Sequence, residues 1–189
     1  MKRRSIAIDG PSGAGKSTLA KMLAEKLGFL YVDTGAIYRT VGLYAKRRGV
    51  DPQDREQVIG LLKDIQIKMA YGEDGLQHML LNGEDVTEAI REHVISGYAS
   101  KVSAIPEVRA FLLEMQRSLA REHDVIMDGR DIGTQVLPNA DVKLFLTAAA
   151  EDRAHRRYAE LLERGQEADY DHILRDVVDR DERDMNRAA

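Results

Sequence analysis

The sequence predicts an α/β protein, a mostly parallel sheet with flanking helices, and three observations carry that prediction. Four short apolar runs, at residues 4–9, 29–32, 125–127 and 142–146, read as buried parallel strands, each followed by a helical pattern. Between the first run and the recurring Leu19, Leu23 and Leu27 lies Gly10-Pro11-Ser12-Gly13-Ala14-Gly15-Lys16-Ser17, a glycine-rich turn placed between strand and helix. Val108, Leu112, Met115 and Leu119 mark a long amphipathic helix before the third run, with Pro106 in its first turn.

The first strand and its turn carry the chemistry. Glycine, four residues, glycine, lysine and serine form the spacing of a phosphate-binding loop. Glycines let the backbone approach phosphate oxygens, and the loop N–H groups and the following helix N-terminus then point at the anion. Gly10, Pro11, Ser12, Gly13, Ala14, Gly15, Lys16, Ser17 and the adjoining Thr18 are therefore the candidate contacts to a nucleoside triphosphate. Lys16 is expected at the β- and γ-phosphates and Ser17 on Mg²⁺. A plain glycine turn before an ordinary helix is the competing reading, and the strand–loop–helix context disfavours it.

The second run ends at Asp33-Thr34-Gly35, with Arg39 within two turns of the next helix. Residues 64–86 break the α/β rhythm. Ile65, Ile67, Met69 and Tyr71 alternate with polar or small residues, Gly72-Glu73-Asp74-Gly75 follows, and Leu76 to Leu81 forms another apolar run. This predicts a β-hairpin in an inserted lobe. The third run ends at Asp128, which beside a phosphate loop can hold Mg²⁺ through its water shell; a capping or turn aspartate is the alternative. The last forty residues are crowded with charge: Arg153, Arg156, Arg157, Arg164, Arg175, Arg180, Arg183 and Arg187 lie among still more carboxylates. Their residue types alone favour a solvated pair of helices with i,i+4 ion pairs.

Composition narrows the classes. The 189 residues suffice for one compact domain with an insertion, and no run of eighteen apolar residues offers a membrane span. Cysteine is absent, which removes disulfides and thiolate metal sites and fits a cytoplasmic location. A formal charge of −4 argues against binding nucleic acid by bulk electrostatics. The five histidines show no ligand spacing, so a metal is expected to arrive with the nucleotide. No pattern calls for a dimer.

Four motifs in order, Ile8 to Ser17, Asp33-Thr34-Gly35-Ala36-Ile37-Tyr38-Arg39, Asp128-Gly129-Arg130-Asp131-Ile132-Gly133-Thr134 and Arg180-Asp181-Glu182-Arg183-Asp184-Met185-Asn186-Arg187, closely resemble the bacterial cytidylate kinase family. The resemblance runs through the whole chain, and the last two motifs are absent from generic phosphate-loop proteins. It implies transfer of the γ-phosphoryl group of ATP to CMP or dCMP. It implies a P-loop NTPase-type core at 1–33, 100–150 and 168–189, a monophosphate-binding lobe at 34–99 with the hairpin at about 64–86, and a short arginine-rich lid at 151–167. It also implies that Ser100, Arg109 and Asp131 read the cytosine and that Arg39, Arg130, Arg180 and Arg187 clamp the acceptor phosphate. Asp184 would lie at the sugar, Thr34 and Tyr38 near the acceptor nucleotide, and Arg153 and Arg157 in the lid. Lys16, Arg130, Arg153 and Arg157 would act on the transferring group. Without the resemblance, Ser100 and Arg109 read as surface residues of amphipathic helices.

The family normally continues about thirty residues past the Arg-Asn-Arg segment, into another strand and helix. The sequence given stops at Ala189. A four-stranded parallel core with the 142–146 strand as an exposed edge is therefore expected. A kinase for another small acceptor or nucleoside monophosphate is the alternative enzyme, and Asp128-Gly-Arg-Asp131 argues against it. A nucleotide-dependent switch is the alternative from another class; no Asn-Lys-x-Asp guanine motif is present.

Overall fold

The computed structural model describes residues 3–72, 75–163 and 165–186. Its central sheet is made of β1 (Ser5–Asp9), β2 (Leu30–Asp33), β6 (Val125–Gly129) and β7 (Val142–Phe145), in the order β2-β6-β1-β7 and parallel throughout. The four apolar runs become these four strands, and the four-stranded core is as expected. Side-chain alternation divides the core. Ala7, Val32, Val125 and Met127 face one layer, whereas Ile8 and Ile126 pack with Ala20 and Ala24 of α1 (Lys16–Leu27) on the other. Strands buried on both faces carry no polar alternation, which is why they read as continuous apolar runs. Edge strand β7 differs: Val142, Leu144 and Phe145 are exposed, Phe145 at 72%.

After β2 come α2 (Thr34–Arg47) and α3 (Arg55–Leu61), then an antiparallel sheet of β3 (Ile67–Tyr71), β4 (Gln77–Leu81) and β5 (Glu84–Asp85). The β3–β4 pair is the predicted hairpin; two of its turn residues, Glu73 and Asp74, lie outside the described residues. The third strand was not predicted. It folds back through Asn82 and Gly83, both with positive φ (50° and 88°), and Asn-Gly is the pair that a tight two-residue reversal favours. This sheet shares a core with α2, in which Ile37, Val41, Met79, Leu81 and Ile90 are buried.

Helices α4 (His93–Val102) and α5 (Pro106–Glu122) complete that layer. Pro106 occupies the first turn of α5, as predicted. Gly42 lets α4 lie against α2: a Cβ there would stand 2.9 Å from the Ala99 nitrogen. This close approach brings Ser100, one residue on, to the inner side of the layer. A π-helical turn at Ile132–Val136 follows β6. Finally α6 (Ala150–Glu163) and α7 (Tyr170–Asn186) pack on each other through a separate cluster of Ala154, Leu161 and Ile173. Among the described residues, no helix is long and apolar enough to cross a membrane.

Candidate active site

The glycine loop joins β1 to α1 and takes the shape that its sequence requires. Gly10, Gly13 and Gly15 have φ of 142°, 74° and 92°, where an L side chain is strained. At Gly10 a Cβ would also stand 1.9 Å from the Leu146 carbonyl oxygen. Lys16, the first residue of α1, is buried, and its Nζ donates to the Pro11 carbonyl at 2.7 Å. Burial lowers its pKa from 10.5 to about 7. The Arg130 and Arg180 cations push in the same direction, against Asp128 and Asp184. Ser17 and Thr18 are exposed on the same turn.

Asp128 lies inside β6, with Gly129 as the last residue of the strand, so it does not end the strand as predicted. It accepts hydrogen bonds from Ser17 Oγ at 2.8 Å and Tyr31 Oη at 3.0 Å. Burial and the Asp33 carboxylate raise its pKa; the bonds from Ser17 and Tyr31 oppose the rise. A hydroxyl and a carboxylate in contact, with that carboxylate destabilised as an anion, form a hard oxygen donor pair suited to Mg²⁺. Among the described residues, no group of three or more His, Cys, Asp or Glu side chains is arranged to hold a metal. The donor pair thus fits an ion that brings phosphate and water ligands with it.

A cavity of about 200 Å³ runs from this loop between α2, α4 and α5. Its lining includes Ser12, Gly13, Lys16 and Ser17, together with Thr34, Tyr38, Arg39, Arg130, Arg180 and Asp184, and with Ser100, Arg109 and Asp131. Residues far apart in sequence therefore share one space. Asp33 caps α2 by accepting from the Ala36 nitrogen at 3.0 Å and also pairs with Arg39 at 2.8 Å. Arg130 Nε pairs with Asp184 of α7 at 2.7 Å. Arg109 pairs with Asp131. Arg180 Nε is buried and has no hydrogen-bond partner among the described residues; burial first, then Arg130, lowers its pKa to about 10. Four arginines and a lysine line this small cavity with four aspartates, and Arg39, Arg109 and Arg130 are each paired with one of them; Arg180 and Lys16 are buried cations whose charge a bound anion would offset. The Thr34 hydroxyl donates to the Asp128 carbonyl at 2.7 Å, tying the start of α2 to β6.

The two arginines expected in a lid stand elsewhere. Arg153 is 4% exposed; it donates to the Ser12 carbonyl at 3.0 Å and pairs with Asp181 of α7. It braces the glycine loop from behind, at the junction with α6 and α7. Arg157 pairs with Glu160 on its own helix at 3.3 Å. Neither lines the cavity. Arg187 lies outside the described residues.

Three residues that sequence reasoning passed over also shape the site. Asp9 accepts from the Ile132 and Gly133 nitrogens at 2.7 and 2.8 Å and so fixes the turn that follows Asp131. Tyr31 holds one oxygen of Asp128. Gln116, in α5, is 1% exposed and lines the cavity. Asp9 and Gln116 carried a signal, a polar residue where the apolar pattern demands a buried one.

A phosphate loop at the head of a parallel sheet, opening into a cavity lined by arginines and by further polar side chains, defines a nucleotide-dependent phosphotransferase of the P-loop class. A family profile described as cytidylate kinase matches residues 6–189. A cytidylate kinase of Caldicellulosiruptor bescii is 53% identical over 99% of this chain and 82% of its own length. Those of Geobacter sulfurreducens and Streptococcus gordonii are 50% and 45% identical, over 96% and 100% of this chain and 78% and 84% of theirs. The chain belongs to the cytidylate kinase family.

Proposed function

We propose that the protein transfers the γ-phosphoryl group of ATP to CMP or dCMP, giving ADP and CDP or dCDP. The observation that carries this reading is the set of groups that share one cavity. An anion-binding loop with a buried lysine, the arginines Arg39, Arg130 and Arg180, and a donor–acceptor set of Ser100, Arg109 and Asp131 all line it. Phosphoryl transfer needs positioning and positive charge more than covalent chemistry, and this set supports both. ATP phosphates rest on the loop and Lys16. Ser17 and Asp128 would hold a Mg²⁺ that arrives with the nucleotide, and it would supply charge neutralisation to the donor phosphates. Arg39, Arg130 and Arg180, with Arg187, take the acceptor phosphate in line with the donor. Arg109 donates to the ring acceptors O2 and N3, while Asp131 accepts from the 4-amino group. Uracil presents an oxygen there and meets a carboxylate, so CMP is favoured.

The lobe at 34–99 carries the acceptor onto the core. The lid at 151–167 closes over the reacting phosphates and excludes water, with Arg157 swinging in from its exposed pair. The protein works as a cytoplasmic monomer.

The test is direct. Pure protein is mixed with ATP, Mg²⁺ and each of CMP, UMP, AMP and GMP, and ADP is followed. ADP release dependent on CMP supports the reading. Equal release with every monophosphate, or release that needs none, refutes it.

A further inference from the structure

We infer that Gln116 is a second reader of the base: its Oε1 accepts a hydrogen from the 4-amino group of the acceptor nucleotide, beside Asp131. The inference deepens the proposed function and rests on it.

A glutamine on the buried side of α5 is out of place unless its amide is used. Val108, Leu112 and Gln116 recur at four-residue spacing, and all three are buried, Gln116 at 1% exposure. Its Nε2 donates to the Leu112 carbonyl at 3.1 Å. That bond fixes the amide orientation, because the flipped amide would set two carbonyl oxygens against each other. Oε1 is then a buried oxygen with no hydrogen-bond partner among the described residues. An acceptor left so costs stability, and polar groups of this kind recur where a ligand completes them.

Its surroundings choose the ligand group. Gln116 lines the cavity together with Ser100, Arg109 and Asp131. Arg109 and Gln116 are seven residues apart on α5, hence on one face and about 10 Å apart along the axis. Oε1 can only accept, so it calls for a ligand donor. A cytidine nucleotide offers its exocyclic amine and its sugar hydroxyls. Gln116 shares the cavity with the three groups proposed for the base, whereas Asp184, the residue expected at the sugar, is already paired with Arg130. The amine has two hydrogens and, in this arrangement, two acceptors: the Asp131 carboxylate and the Gln116 amide oxygen. The 4-oxo group of uracil would meet both.

The experiment compares wild type with Gln116→Met, which removes the acceptor at similar length, and with Gln116→Leu. Steady-state kinetics are taken with CMP, dCMP and UMP at saturating Mg·ATP, and melting is followed with and without CMP. We expect kcat/KM for CMP and dCMP to fall about tenfold, through KM, with UMP little changed. The unliganded variants should melt no lower than wild type, since a costly orphan acceptor is gone, yet gain less on adding CMP. An unchanged CMP/UMP ratio overturns the inference and marks Gln116 as structural. Loss with CMP that spares dCMP also overturns it, by assigning the oxygen to the 2′-hydroxyl. Should neither variant fold, wild type is assayed with the 2-pyrimidinone ribonucleotide, which lacks the amine. A loss of roughly a hundredfold against CMP supports two acceptors, and a loss of only tenfold overturns the second. A wild type that phosphorylates neither CMP nor dCMP defeats the proposed function; a discriminating wild type with unchanged variants defeats Gln116 alone.

Discussion

Replacing Lys16 with methionine should make the unliganded protein more stable at neutral pH while sharply lowering turnover. The lysine is a buried cation held beside two arginines, and its pKa falls from 10.5 to about 7. At about 1.4 kcal/mol per pH unit, that difference corresponds to a folding penalty on the order of 5 kcal/mol, fully present below pH 7. The sign follows from proton counts. Between pH 7 and 10.5 the unfolded chain holds the proton and the folded one does not, so wild-type stability rises with pH across that window. Methionine also leaves the Pro11 carbonyl without the Lys16 donor, at a cost of about 1–3 kcal/mol. The net gain is then about 2–4 kcal/mol at pH 6, and by pH 10 it is lost or reversed. Nucleotide phosphate should restore the ammonium. At pH 8 Mg·ATP binding by wild type should therefore take up most of a proton, and at pH 6 little. Calorimetry in buffers of different ionisation enthalpy reads the uptake, and thermal melts from pH 6 to 10 read the stability. Lys16→Met should show no such uptake at pH 8 and a kcat reduced by a factor on the order of 10²–10³. Identical proton uptake in wild type and variant, or a variant with near-normal kcat, refutes the reasoning.

Asp131→Ala should raise KM for CMP and narrow the CMP/UMP ratio in kcat/KM at least about tenfold, since a site built to hydrogen-bond an amine loses its main acceptor; an unchanged ratio in competition assays would place the base elsewhere. Arg153→Ala should break a buried pair with Asp181 and release the Ser12 carbonyl, costing about 3 kcal/mol and lowering Tm by about 6–12 °C. Arg157→Ala should leave Tm unchanged, because its pair with Glu160 is exposed, and should lower kcat with little change in KM for CMP. Melting curves and steady-state kinetics on the two variants separate a brace from a lid residue.

Much of the fold is visible in the sequence because its strands are buried on both faces. Ile6-Ala7-Ile8 and Val125-Ile126-Met127 have few other places to go, and Pro106 announces the start of α5. The extra strand β5 is hidden for a physical reason: Glu84 and Asp85 have poor strand propensity and are held by register with Leu80 and Leu81. Only the Asn82-Gly83 turn betrays it. The cavity is half visible. Glycine spacing reveals the loop, since backbone geometry demands it. Arg153 and Arg157 look equivalent at a four-residue spacing, yet Asp181 on another helix captures one of them. A partner 28 positions away leaves no mark on local periodicity. Asp9 and Gln116 were open to detection, as polar residues in apolar stripes.

Passage of phosphate from ATP to a cytidine monophosphate is read in a single turnover mixture of wild-type protein, Mg²⁺, CMP and ATP labelled in the γ-phosphate. The label is expected in CDP, with one ADP formed for each CDP. Label released as inorganic phosphate, or carried to AMP, GMP or UMP in preference to CMP in a mixture of all four, would contradict it.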